Sequence, residues 1–176
     1  MQNRITADIA AFRLPRYAQI PEVGLYLEQV VRYINARLAP LGEPELTGSM
    51  VSNYVKQRLI PGPHKKSYSQ ESIAYLLMLS YVKTVVSMED VRLMLQVQQS
   101  SYEISVAYDY FCAELENLLQ YVFGLKPAPD EIGTTQTEEK EMLRSALLSV
   151  THKLYMEQHL KFMRAAQGGN ASDTIP

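Results

Sequence analysis

Cysteine is almost missing from this sequence: Cys112 is the only one in 176 residues. One thiol can form neither an intramolecular disulfide nor a cysteine-based zinc site, which fits a reducing compartment. Long apolar runs are missing as well. No stretch approaches the roughly 18 apolar residues of a membrane span, and no segment has a signal peptide's layout. The expected location is therefore cytoplasmic, with no membrane partner. There is no Walker loop, no GxGxxG cradle and no HExxH. His152 and His159 stand seven apart without a nearby third ligand, a poor metal set. Cys112 lies beside Phe111 among acids, which disfavours a thiolate. No residue advertises catalysis, so no enzyme, metal or cofactor is expected.

Acid is missing from one stretch in particular. Thr47 to Tyr68 carries Lys56, Arg58, Lys65 and Lys66 and no Asp or Glu, a local +4 in a chain whose formal charge is −2. Residues 87–141 balance it, with eleven acids against Arg92, Lys126 and Lys140, a local −8. A concentrated basic patch is the footprint of a nucleic-acid binder even when the whole chain is acidic, although an ordinary solvated loop has the same charge.

Apolar residues make up 47% of the chain, enough for a packed core. The periodicity predicts an all-α chain. Residues 1–20 form an arm with a short helix capped by Thr6 and ended by Pro15; Arg4, Arg13 and Arg16 reach a DNA backbone or pack on the body. Residues 21–100 form the main domain. Its first helix spans Pro21–Leu38, with a stripe at Leu27, Val30, Val31, Ile34 and Leu38. Its second spans Gly48–Leu59, capped by Thr47. The apolar side of that helix is Met50, Val51, Tyr54, Val55 and Leu59. Ser49, Ser52, Asn53, Lys56 and Gln57 occupy the other side. Hydroxyl, amide and lysine groups without acids suit a major groove, with Lys56 on phosphate.

Pro61 and Pro63 end that helix. His64, Lys65, Lys66 and Tyr68 then form a basic wing, with Arg58 before it. Ser69 and Ser87 cap two supporting helices, the second through a Ser87–Asp90 capping box. Residues 98–101 read as a polar break. Residues 101–167 form a helical hairpin, and 168–176 a frayed tail. In its long helix, Ile104, Tyr108, Phe111, Leu115, Leu118, Val122 and Leu125 repeat at alternating spacings of four and three. That seam serves either a second copy of the chain or packing within one chain; homodimerisation is the expectation carried forward. The aromatics Tyr108, Phe111, Tyr121 and Phe123 also suggest a pocket for an apolar ligand.

The order from Tyr26 to Leu95 resembles the winged helix-turn-helix domain of the MerR regulators. The strings that carry the likeness are Ser49-Met50-Val51-Ser52-Asn53-Tyr54-Val55-Lys56, the exit Leu59-Ile60-Pro61-Gly62-Pro63, the wing tyrosine and cap Tyr68-Ser69-Gln70-Glu71-Ser72-Ile73, and the turn Val86-Ser87-Met88-Glu89-Asp90-Val91. Asn53-Tyr54 stands where those regulators carry Arg-Tyr. The stretch from Tyr17 through Lys83 also looks like an uncharacterised bacterial family with a MerR-like winged helix-turn-helix unit and a helical C-terminal part. The resemblance implies a dimeric transcriptional regulator on double-stranded DNA, its long helix joining two readers. The effector, small molecule or protein, is left unspecified. The alternative reading is a protein-interaction or ligand-sensing module on the same scaffold.

Overall fold

A computed structural model describes residues 2–169 of the chain, with side chains for 6–167. The described residues form seven α-helices and one two-stranded antiparallel sheet, in the order α1 (Gln2–Ala11), β1 (Leu25–Tyr26), α2 (Leu27–Leu38), α3 (Gly48–Lys56), β2 (Ser67–Tyr68), α4 (Gln70–Val82), α5 (Met88–Ser101), α6 (Ile104–Val122) and α7 (Glu138–Gly169). The chain is mainly helical, as the periodicity predicts. None of the described helices is long and apolar enough to cross a membrane.

The centre is α4. Every residue from Ser72 to Val82 is buried, so this helix has no solvent face. A helix apolar on all sides has to be wrapped by others. α2, α6 and α7 are its main neighbours. Its start is set by Ser69, whose hydroxyl accepts the Ser72 N–H at 3.2 Å. α5 starts in the same way: Ser87 Oγ accepts the Asp90 N–H at 3.1 Å and donates to Asp90 Oδ2 at 2.6 Å.

Several boundaries differ from the sequence reading. The first main helix begins at Leu27 rather than Pro21, because Leu25 and Tyr26 pair with Tyr68 and Ser67. Gly24 is needed beside that pairing, since a Cβ there would stand 2.1 Å from Ser67 Oγ. The polar run 98–101 is helical: Ser100 and Ser101 return their hydroxyls to Val97 O at 2.9 and 2.8 Å. The chain turns one step later, at Tyr102 and Glu103. Thr6 lies inside α1 rather than at its cap. Of the frayed tail expected at 168–176, residues 168 and 169 continue α7, and 170–176 lie outside the described residues.

The N-terminal arm packs on the body. Arg16 makes a two-pronged pair with Glu116, both bonds 2.8 Å, and the Leu14 N–H donates to the same carboxylate at 2.9 Å. The Tyr17 N–H donates to Asp109 at 2.6 Å. α6 and α7 pack side by side but run in the same direction, not as the expected hairpin: Lys140 stands over Tyr110, Arg144 pairs with Glu114 at 2.8 Å and Tyr155 meets Phe123. The reason is that the linker returns along α6 through Asp130, which is bonded to Asn117. One apolar cluster runs from Ile9 to Leu154 without a gap at residue 100.

Candidate nucleic-acid interface

α3 is held from both ends. Asn35 on α2 clamps the approach, donating to Leu46 O at 2.9 Å and accepting the Leu46 N–H at 2.8 Å. Thr47 then caps the helix, accepting the Met50 N–H at 3.3 Å. At the far end Arg92 of α5 donates to Gln57 O at 2.6 Å. Val51 and Tyr54 are buried, and Tyr54 meets the Lys83 ammonium at 3.3 Å. Ser49, Asn53 and Lys56, spaced four and three, are exposed on the opposite side. Ser52 is only half exposed, and its hydroxyl is turned back to Gly48 O at 3.0 Å.

The exit from α3 is a Schellman closure. The Arg58 N–H donates to Val55 O and the Leu59 N–H to Tyr54 O, both at 2.9 Å. Arg58 occupies the left-handed position, φ +56°, that such closures usually give to glycine. The chain then passes Gly62, whose added Cβ would stand 3.2 Å from Val55 of α3. His64 and Ser67 exchange N–H···O bonds of 2.9 Å each, closing a two-residue turn. Its central residues, Lys65 and Lys66, have φ of +46° and +68°. Two positive φ values define the type I′ hairpin, which favours Asn-Gly, not Lys-Lys.

Among the described residues, Arg58, Lys65 and Lys66 are the non-glycine residues with positive φ, and all three are cations within nine positions. Each pays about 1–2 kcal/mol for that conformation. With His64 and Lys56 they are exposed. None of these five forms an ion pair among the described residues, whereas Arg16, Lys126, Arg144 and Lys153 all find acids.

Two groups of expected site residues are placed elsewhere. Tyr68 is 5% exposed and belongs to the core, so it offers no surface to DNA. The heptad residues Tyr108, Phe111, Leu115 and Leu118 are fully buried, between α4 and α7. Ile104 and Val122 are half-buried, and only Leu125 at the end is exposed. The seam is therefore filled by the chain's own helices, and a second copy would need other surface. Acids of the −8 region are also consumed internally: Asp109, Glu114 and Glu116 all hold partners of the same chain.

Cys112 is buried, its thiol pushed up to about 12 chiefly by burial, which leaves it inert as a nucleophile. His152 and His159 are exposed, and no group of three potential metal ligands occurs among the described residues. Sequence reasoning missed Arg92, since nothing in the linear pattern ties it to a carbonyl 35 residues earlier.

A family model, described as a domain of unknown function (DUF1836), matches residues 15–111. No curated protein and no solved structure matches the chain. The MerR resemblance is thereby corrected: the match is to that domain, and no MerR-like or helix-turn-helix family is indicated. The strings that carried the likeness are serine caps and proline exits. Such features recur wherever short helices begin and end, so they do not separate families.

Proposed function

The chain belongs to the DUF1836 family, and we propose that it is a DNA-binding transcriptional regulator built as a winged helix-turn-helix followed by a helical pair. α3 enters the major groove with Ser49 and Asn53 toward base edges and Lys56 toward phosphate. The Lys65–Lys66 turn lies on the adjacent backbone, with Arg58 between the two. The observation that carries this reading is the set of three cations in left-handed conformations. Strain of this kind gathers at functional sites, and a polyanion supplies a reason to place lysine where glycine fits better.

A dimer fits the same reading through α7. Leu154 is the last buried residue of that helix among those described; Tyr155 still packs on Phe123 and Lys161 lies beside Gly42, and eight residues follow, about 12 Å of helix. Met156, Leu160 and Met163, spaced four and three, are exposed on it, as are Tyr155 and Phe162. Two copies joined there would read an inverted repeat.

The test is selection of bound oligonucleotides from a random pool, followed by affinity measurements across salt concentrations. The expected product is an enriched inverted repeat. Lys65→Gly with Lys66→Gly should raise unfolding stability by about 1 kcal/mol. The same variant should flatten the log–log salt slope by about 1.8. Asn53→Ala should change sequence preference instead. An unenriched pool, or identical salt slopes, would refute the assignment.

A further inference from the structure

We infer that the cleft between α4, α5, α6 and the start of α7 is a binding site for a small neutral apolar molecule carrying one hydroxyl or N–H donor. The cleft has a volume of about 310 Å³ and is partly open to solvent. That lies at the lower end of ligand-sized cavities. It exists because α5 is thinly packed. Of its fourteen residues only Val91 is fully buried, while Met94 and Leu95 face the cleft half-covered. Met78 and Phe111 close the opposite walls, with Met142 at the start of α7. Methionines give a wall that adapts to the shape of an apolar guest.

The polar content of the cleft defines the guest. Gln98 donates through Nε2 to Tyr102 O at 2.8 Å, while its Oε1 is buried without a well-formed hydrogen bond, the Tyr75 hydroxyl being the neighbouring polar group of the chain. A buried acceptor left unpaired is costly, and a donor on the guest would satisfy it. Glu139 and Lys140 both stand on the α7 side, so that edge carries no net charge. Lys140 is already bonded to Thr135 O at 2.8 Å and Thr135 Oγ1 at 3.2 Å. An ionic head group is not required. The inference stands whether or not the chain binds DNA.

The experiment uses the full chain and four probes in two matched pairs: indole with 1-methylindole, and 1-octanol with its methyl ether. Within each pair only the donor is removed. Titration calorimetry should show saturable binding of at least one donor-bearing probe, at least tenfold tighter than its methylated counterpart. Ala107→Phe, which fills the cleft from α6, should weaken that binding at least tenfold. Gln98→Leu should erase the preference within the pair while keeping apolar binding. If Ala107→Phe does not fold, the Gln98→Leu comparison decides by itself. Absence of saturable binding by all four probes overturns the inference, as does binding that Ala107→Phe leaves intact in a folded protein. A cleft that takes no probe while Ala107→Phe changes the oligomeric state belongs to a second copy of the chain, and that also overturns it.

Discussion

Arg58, Lys65 and Lys66 show how much chemistry a short string can hide. His-Lys-Lys-Ser reads as a basic loop, and it is exposed and basic. Its sharpness is not legible, because lysine is an unusual occupant of both central positions of a type I′ turn. Tyr68 fails in the opposite direction. It follows the wing in sequence, but pairing with Leu25 turns its ring into the core. Glu43 is a third residue whose role the sequence conceals. Its side chain is buried 3.3 Å from Lys153. Burial raises its carboxyl above the ordinary range, and Lys153 offsets this only in part. The folded state therefore holds that proton to higher pH than the unfolded chain does. The stability tied to it is present at low pH and is lost as pH rises toward the folded value. Glu43→Gln should accordingly gain melting temperature relative to the parent between about pH 4 and about pH 7. A constant difference across that range would contradict this account.

At the level of elements, the helix starts were the most legible feature. Thr47, Ser69 and Ser87 cap the helices the sequence assigns them to, because an N-cap acts on a backbone group two or three residues away. The start of α2 was not legible: Pro21 is a good first helical residue, but a tertiary strand pairing claims Leu25 and Tyr26. The break after α5 shifts for a similar reason, since serine hydroxyls bonded to Val97 O let the polar run stay helical. Arg92 links two elements that are distant in sequence. Arg92→Ala should cost about 1–2 kcal/mol, as expected for a charged donor to a partly buried carbonyl. In native-state hydrogen exchange, the amides of Gln57 to Leu59 should accelerate more than those in the middle of α4. Equal acceleration in both would mean that Arg92 supports the body rather than α3.

Across the whole molecule, the heptad of α6 illustrates the limit of periodicity. Spacings of four and three specify an apolar stripe, not what covers it. Here α4 and α7 cover it, and the unpartnered apolar surface moves to the far half of α7. Met156→Glu with Leu160→Glu should convert a dimer to a monomer in sedimentation velocity. Its melting temperature, measured at dilution where the parent is also dissociated, should be nearly unchanged, since exposed substitutions usually shift stability by less than about 0.5 kcal/mol. A parent that is monomeric at all concentrations would dispose of the α7 interface.

The clasp of Leu14 and Arg16 on Glu116 bears on the order in which the molecule is made. The partners of that clasp are about one hundred positions apart, and the core it closes also needs Leu147 to Leu154. During synthesis Leu14 and Arg16 are made long before Glu116, their acceptor. The family match stops at residue 111, midway along α6 and before Glu116, so a fragment cut there would have nothing for the arm to fasten to. In a nascent chain the Leu14–Arg16 clasp can therefore close only after α6 is made, whereas Ile20 already has Gln70 of α4 to hold its carbonyl.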